Sequence, residues 1–160
     1  MTESLGVFAA LGALMGLFVL IGIALYVLSA LGLFTMAKRR NIENAWLAWI
    51  PVAQLYILGE IIGPVKLGDF DVSKPGLYLL VGILGLWVLA QIPKIGFLFS
   101  LAITVVSIGA LYYLFKRYTT ENTPVLYTVL SVVTCGFLAP IFVFVIRNNE
   151  YQLNDNKLAL

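Results

Sequence analysis

The sequence has no histidine and a single cysteine, Cys135. These two absences exclude disulfide frameworks, histidine-containing zinc sites, and histidine-based catalytic triads or proton relays. A serine nucleophile would need lysine as its base, and no serine or threonine has a recognisable base beside it. We therefore expect no catalytic residue, no metal site and no cofactor, which makes an enzyme the less favoured class.

Charge is also scarce, since Asp, Glu, Lys and Arg make up 11% of the chain and hydrophobic residues 61%. Soluble domains typically contain about 25% charged and about 45–50% apolar residues. The mean hydropathy of +0.99 leaves no room for a separate soluble domain, so the chain is expected to form one membrane domain. The net charge of +2, without a basic stripe interleaved with aromatics, argues against nucleic-acid binding. The expected electrostatic partner is the anionic headgroup layer.

The longest apolar stretch lies at the start of the chain, where residues 4–37 carry no charge. As a helix this stretch would extend roughly 50 Å, more than the ~30 Å hydrocarbon core of a bilayer. Three basic residues, Lys38, Arg39 and Arg40, follow it directly and predict that this end faces the inner side. Gly12 and Gly16 have a small-xxx-small spacing, which is a candidate site of close helix packing.

Charges and prolines divide the chain into five apolar blocks. The predicted spans cover residues 5–37, 76–92, 95–115 and 124–146, with a partial or full span at 45–63 and a polar tail at 148–160. If all five blocks cross, six Lys and Arg lie inside and four outside; if 45–63 does not cross, the numbers are seven and three. The positive-inside rule then favours an all-α integral membrane protein with four transmembrane helices and one interfacial or re-entrant helix. Five transmembrane helices are the alternative.

Block 45–63 differs from the others because it contains Pro51, Gln54 and Glu60. A helical spacing of three and four residues would place several of its residues on one face. These residues are Trp46, Trp49, Ala53, Tyr56, Glu60 and Gly63. Because Trp and Tyr prefer the headgroup level, this face predicts a helix that lies at the interface or enters the membrane part-way. Trp46, Trp49 and Tyr56 are the candidate partner-binding face.

Glu60 is the candidate ion or polar site. A charged side chain within a membrane segment costs on the order of 2.5–3.5 kcal/mol, so it should face protein, water or an interface. Tyr56 lies one turn earlier and could donate a hydrogen bond to it. Gln54 is a further polar candidate, although amides in membrane helices commonly join helices together. A structural position for Glu60 near the headgroups is the favoured interpretation.

Two basic clusters border the apolar blocks: Lys38, Arg39 and Arg40 in the first, and Lys116 and Arg117 in the second. Both are expected to determine topology. Contact with anionic lipid, at about 1 kcal/mol per basic residue near the surface, is a second role compatible with the first.

The stretch at residues 36–63, MAKRRNIENAWLAWIPVAQLYILGEIIG, resembles a group of small bacterial membrane proteins of Gram-positive type. In that group a span ends in a basic segment and is followed by an N-x-W-L-A-W-I-P motif. The ending PIFVFVIRNN, at residues 140–149, is similar to their last span. The resemblance implies a multi-pass protein of the bacterial plasma membrane, and it implies no activity or ligand.

Three functions are compatible with these features. The favoured one is a non-enzymatic protein that binds lipid or a membrane partner, as accessory, immunity or envelope-stress proteins do. The second is a small oligomeric channel or transporter with Glu60 on the ion or proton path. The third is an enzyme acting on lipid. The expected partners are membrane lipids, another membrane protein or a second copy of the chain, with no nucleic acid.

Overall fold

A computed structural model describes residues 2–67 and 70–152. In this part the chain forms six α-helices, two short 3-10 helices and one β-hairpin. The helices are α1 (Thr2–Arg39), α2 (Gln54–Ile62), α3 (Pro75–Leu89), α4 (Gly96–Tyr118), α5 (Thr123–Val133) and α6 (Ala139–Val145), and the strands are β1 (Val65–Leu67) and β2 (Phe70–Val72). The 3-10 helices are Ala45–Trp49 and Ile146–Asn148. The predicted all-α class is confirmed.

Two helices are long and apolar enough to cross a membrane, Phe8–Arg39 within α1 and Gly96–Tyr118, which is α4. Their mean hydropathies are 2.6 and 2.0, yet only 17% and 11% of their most apolar windows are buried. Helices in the core of a soluble protein would be covered by their neighbours. These apolar surfaces are open instead, which suggests insertion into lipid.

The segment between α1 and α2 runs back along α1 and then returns to the same end. The Tyr26 hydroxyl donates to the carbonyl of Trp49, and Tyr26 lies roughly 20 Å along α1 from Arg39. At the other end of the segment, Arg40 Nη1 donates to the carbonyl of Glu60 at 3.0 Å. Residues 41–62 therefore form a hairpin (the first hairpin) whose two ends lie beside the C-terminus of α1.

The single helix predicted over 45–63 is wrong in this respect, because the chain breaks at Pro51. Proline has no amide hydrogen, so the Ala48 carbonyl loses the donor that would continue the 3-10 helix. The Gln54 side chain supplies the missing donor, with Nε2 at 2.8 Å from the Ala48 carbonyl. The predicted continuous face from Trp46 to Gly63 is therefore divided between a 3-10 helix and α2.

Helices α2 and α3 pack closely against each other, and the β1–β2 hairpin joins them. The strands are antiparallel, with Lys66 opposite Asp71. A Cβ at Gly59 would overlap the backbone of Pro75 and Gly76, so only glycine permits this approach. Helix α3 then runs away from the Arg40 end, and α4 returns after the turn at residues 90–95.

The predicted span at 124–146 also differs from the structure, which divides it into α5 and α6. Helix α5 ends with the Gly136 amide donating to the Ser131 carbonyl at 2.7 Å, a pattern that closes helices through a left-handed residue. Cys135 and Gly136 have φ values of 51° and 89°, and Pro140 lies in the first turn of α6. Cys135 is exposed at the tip, not buried. Residues 123–148 form a second hairpin, reaching about 16 Å along α5 before turning back.

The buried core lies at the end of the molecule where both hairpins return. Its largest fully buried side chain, Phe115 of α4, makes edge-to-face contacts with the rings of Tyr127 and Phe142, at centroid distances of 5.6 Å and 6.2 Å. Tyr127 and Phe142 are stacked at 4.2 Å. Val143 of α6 packs closely on α1 at Gly32, where there is no side chain; a Cβ at that position would lie 2.9 Å from Val143 Cγ1. This cluster fixes the arrangement of the basic residues around it.

Candidate functional site: a basic face at one end of the helices

Basic residues gather at the end of the molecule where helices α1, α2 and α4 finish. Eight of the nine Lys and Arg in the described part of the chain lie in the terminal turns or connections at this end, while Lys94 lies in the α3–α4 turn at the other. We call the eight the basic face. They are Lys38, Arg39, Arg40, Lys66, Lys74, Lys116, Arg117 and Arg147.

Arg40 positions the C-terminus of α2 within this face. Its Nη1 donates to the carbonyls of Glu60 and Ile61, two of the groups that a helix leaves unpaired at its end. The guanidinium charge also opposes the negative end of the helix dipole. Arg117 adds a similar contact from α4, with Nη2 2.7 Å from the Pro64 carbonyl.

The segment after α6 packs back on the basic face, although the sequence predicts a polar tail from residue 148. Tyr151 lies under Arg40, with the guanidinium carbon 3.8 Å from the ring centroid, and its hydroxyl donates to the Ile62 carbonyl at 3.0 Å. Asn149 Nδ2 donates to the Tyr118 carbonyl at 2.8 Å. The prediction is therefore wrong for residues 148–152; residues 153–160 lie outside the described part.

Between the ends of α1, α4 and α6 lies a cavity of about 160 Å³, which we call the arginine cavity. Arg39, Arg40 and Arg147 line it, together with a carboxylate residue, Glu150. Arg39 Nη1 donates to the Asn148 carbonyl at 2.5 Å, and Arg147 Nη1 to the Phe144 carbonyl at 2.7 Å. Each guanidinium carries five N–H donors, so both retain donors beyond these contacts.

Tyr118 also lines the arginine cavity. It is 3% exposed, its hydroxyl oxygen lies beside the Arg40 guanidinium, and within the described residues no acceptor takes the hydroxyl proton. Leaving a buried donor unpaired costs roughly 1–3 kcal/mol. The site therefore combines a buried hydroxyl with three positive charges, a donor set suited to an oxyanion.

Comparisons of the chain with protein-family models, with curated proteins and with solved structures find no match. The chemistry of the basic face is accordingly read from its own geometry.

The candidate ion site at Glu60 lies at this same end of the molecule, because Arg40 holds the Glu60 carbonyl. The Glu60 side chain is half-buried against Gly76 in the first turn of α3. A carboxylate at that position interacts favourably with the positive end of the helix dipole. Within the described residues, Tyr56 makes no hydrogen bond to Glu60 and packs against the core instead. Gln54 donates to the Ala48 carbonyl that Pro51 leaves unpaired. The ion site at Glu60 stays a prediction.

The candidate partner face is only partly assembled. Trp46 and Trp49 are exposed to 56% and 41%, and Trp49 makes an edge-to-face contact with Phe34 at 6.5 Å. Tyr56 is not exposed with them, since it packs against the core at the α2–α3 contact. The two tryptophans remain an apolar surface on the first hairpin.

Sequence reasoning identified Arg39, Arg40 and Arg117 but missed Arg147, Tyr118 and Tyr151. Arg147 and Tyr151 follow the last apolar block and resemble an ordinary flank of a span. Only the reversal at Gly136 brings them to the basic face. A sequence signal for this reversal exists: glycine, as at Gly136, is common where helices end, and proline, as at Pro140, is common in the first turn of the next helix.

Proposed function

We propose that this chain is a multi-pass membrane protein without enzymatic activity that binds anionic lipid through its basic face. The observation that carries the proposal is the segregation of eight of nine described Lys and Arg to one end of the helices. A basic residue near an anionic membrane surface contributes about 1 kcal/mol of attraction. A face with eight of them attracts anionic headgroups strongly.

The topology that agrees best with this face has three crossings, by the two long apolar helices α1 and α4 and by the shorter apolar helix α3. It also has two re-entrant hairpins, at residues 41–62 and 123–148. This proposed arrangement has one crossing fewer than the four expected from the sequence. It follows from the two hairpins, each of which begins and ends at the basic face. Under the positive-inside rule the basic face is cytoplasmic. The resemblance of residues 36–63 to bacterial membrane proteins supports a bacterial plasma membrane.

The position of Glu60 favours binding over transport. An ion path needs polar side chains along the depth of the membrane. Glu60 instead lies at the level of Arg40, next to the connection between α2 and α3. The membrane-embedded surfaces of α1 and α4 are apolar, with Phe18 and Phe97 exposed to 64% and 75%.

Analysis of copurifying lipids tests the proposal. The protein would be extracted from membranes in a mild detergent, and its retained phospholipids would be quantified against the bulk membrane. We expect severalfold enrichment of anionic phospholipids, and a loss of most of it when the exposed Lys66, Lys74 and Lys116 are changed together to Gln. Lys94→Gln, at the opposite end, is the matched control. Retained lipids of bulk composition would contradict the proposal.

A further inference from the structure

The arginine cavity differs from the rest of the basic face because its charges converge on a partly enclosed space. Arg39 comes from the last turn of α1, Arg40 follows it, and Arg147 comes from the 3-10 helix after α6. These two separate parts of the chain meet here only because the second hairpin returns to this end. Surface lysines that merely attract a membrane need no such convergence.

Among the residues that the structure describes, no carboxylate is paired with these arginines. Within the described residues, Arg39 and Arg147 donate to backbone carbonyls, Arg40 donates to backbone carbonyls and faces the Tyr118 hydroxyl, and none of the three forms an ion pair. Glu150 lines the cavity without pairing with any of them. A surplus of positive charge in a partly enclosed space favours a bound anion.

The Tyr118 hydroxyl is a second indication of a ligand. It is buried beside the Arg40 guanidinium, which can only donate, and within the described residues no acceptor takes the hydroxyl proton. An acceptor oxygen in the cavity would satisfy it. The space of about 160 Å³ corresponds to roughly five water volumes, and a phosphate group has five non-hydrogen atoms.

We propose that the arginine cavity binds the phosphate of one anionic phospholipid headgroup. Arg39 and Arg147 donate to the phosphate oxygens, Arg40 adds its charge while holding α2, and Tyr118 donates its hydroxyl. A lipid is favoured over a free phosphate ion because the cavity lies at the ends of two helices, α1 and α4, that are long enough to cross a membrane. That is the depth at which headgroups lie. This inference rests on the proposed function and names its site.

Lipid titration followed by native mass spectrometry of the detergent-solubilised protein tests the site. Phosphatidylglycerol should give one high-affinity bound lipid, and phosphatidylcholine, whose headgroup carries a cation, should bind at least tenfold more weakly. Arg147→Gln and Arg39→Gln should each raise the Kd for phosphatidylglycerol about tenfold or more, because each removes charge-assisted hydrogen bonds. Tyr118→Phe should raise it severalfold.

Two further variants sharpen the test. Lys38→Gln removes a charge next to Arg39 in the chain but does not line the cavity, so it measures the diffuse electrostatic contribution. Arg147→Lys keeps the charge and removes the planar donor pair, so its Kd should fall between those of wild type and Arg147→Gln. Glu150→Gln removes the opposing carboxylate and should tighten binding.

The outcomes separate this inference from the proposed function. If Arg39→Gln and Arg147→Gln weaken binding no more than Lys38→Gln, the cavity is not the site, even where the preference for phosphatidylglycerol persists. Inorganic phosphate would be titrated as a competitor. If it displaces the lipid completely at concentrations near the Kd of inorganic phosphate for the protein, the site binds free phosphate and the lipid assignment is wrong. If wild type does not prefer phosphatidylglycerol at all, both proposals fail.

Discussion

At the scale of single residues, Arg40 and Tyr151 together complete the C-terminus of α2, although neither belongs to that helix. Arg40 donates hydrogen bonds to two terminal carbonyls, and the Tyr151 hydroxyl donates to the next one, that of Ile62. The Tyr151 ring packs under the Arg40 guanidinium, where a cation–π contact adds roughly 0.5–2 kcal/mol. One residue pair thus joins α1, the first hairpin and the segment after α6.

Gly63 provides a test of this arrangement. Its φ of 71° disfavours any residue with a side chain, and an added Cβ would lie 2.7 Å from the Tyr151 hydroxyl oxygen. Gly63→Ala should therefore lower the free energy of unfolding by about 1–3 kcal/mol. Thermal unfolding of the detergent-solubilised protein measures the change.

A double variant separates the two causes. Tyr151→Phe removes the oxygen that the new Cβ would meet but leaves the unfavourable φ. Gly63→Ala should then cost less in the Tyr151→Phe background than in wild type, so the two losses should be less than additive. Strictly additive losses would mean that Tyr151 does not pack on Gly63. Gly82→Ala, whose added Cβ meets nothing within 4 Å, controls for a general effect of alanine.

Residue identities alone could not reveal this cluster. The sequence shows that Arg40 belongs to a basic cluster, and such a cluster indicates which side of the membrane the end of the first helix faces. Tyr151, however, lies in a polar stretch after the last apolar block, and nothing local distinguishes it from an exposed tail residue. Its partner is determined by tertiary packing, because the contact depends on the path of two hairpins between residues 40 and 151.

At the scale of helices, the approach of α2 to α3 depends on Gly59 and Gly76. A Cβ at Gly59 would overlap the backbone of Pro75 and Gly76, and a Cβ at Gly76 would lie 2.7 Å from the Tyr56 carbonyl oxygen and overlap Glu60. Gly59→Ala and Gly76→Ala should each destabilise the fold by about 1–3 kcal/mol because backbone atoms cannot move aside cheaply. Thermal unfolding in detergent measures both.

Helix α3 supplies its own controls for this prediction. Gly82 and Gly85 lie further along the same helix, and an added Cβ at either meets nothing within 4 Å. Alanine there should be neutral or slightly stabilising, because it favours the helix. Equal losses at Gly76 and Gly85 would show that α2 and α3 do not pack at their glycines.

The sequence predicted some helices closely and others poorly, for an identifiable reason. Charges and prolines mark the ends of α1, α3 and α4, so the predicted spans 5–37, 76–92 and 95–115 fall close to them. The breaks inside 45–63 and 124–146 lack a charge. Pro51 and Gly136 carry the only local signals, and a proline or glycine in a membrane helix is compatible with a continuous span. The small-xxx-small spacing of Gly12 and Gly16 has no packing partner in the described chain, since an added Cβ at either glycine meets nothing within 4 Å. In α1 it is Gly32 that packs closely, against Val143.

At the scale of the whole molecule, the two hairpins explain why counting basic residues along the sequence gave a weak result. With block 124–146 taken as one crossing, Arg147 moves to the outer side, and the count becomes seven inside against three outside. With that block folded back, Arg147 joins the others, and Lys94 remains alone at the far end among the described residues. The asymmetry of charge is therefore a property of the fold more than of the sequence order.

Single-cysteine labelling of intact cells or sealed vesicles tests this topology. In a Cys135→Ser background, exposed residues at four positions would be changed to cysteine: Glu43, Gln91, Thr120 and Glu150. A membrane-impermeant maleimide should label Gln91→Cys from one side and the other three from the opposite side, because both hairpins return to the basic face.

The labelling of position 150 distinguishes this topology from the four-span and five-span alternatives. If residues 124–146 crossed as one helix after four spans, Glu150→Cys would label with Gln91→Cys and away from Thr120→Cys. In a five-span protein Thr120→Cys would separate from Glu43→Cys. Either pattern would contradict the re-entrant hairpins, and with them the meeting of Arg147 and Arg39 on which the arginine cavity depends.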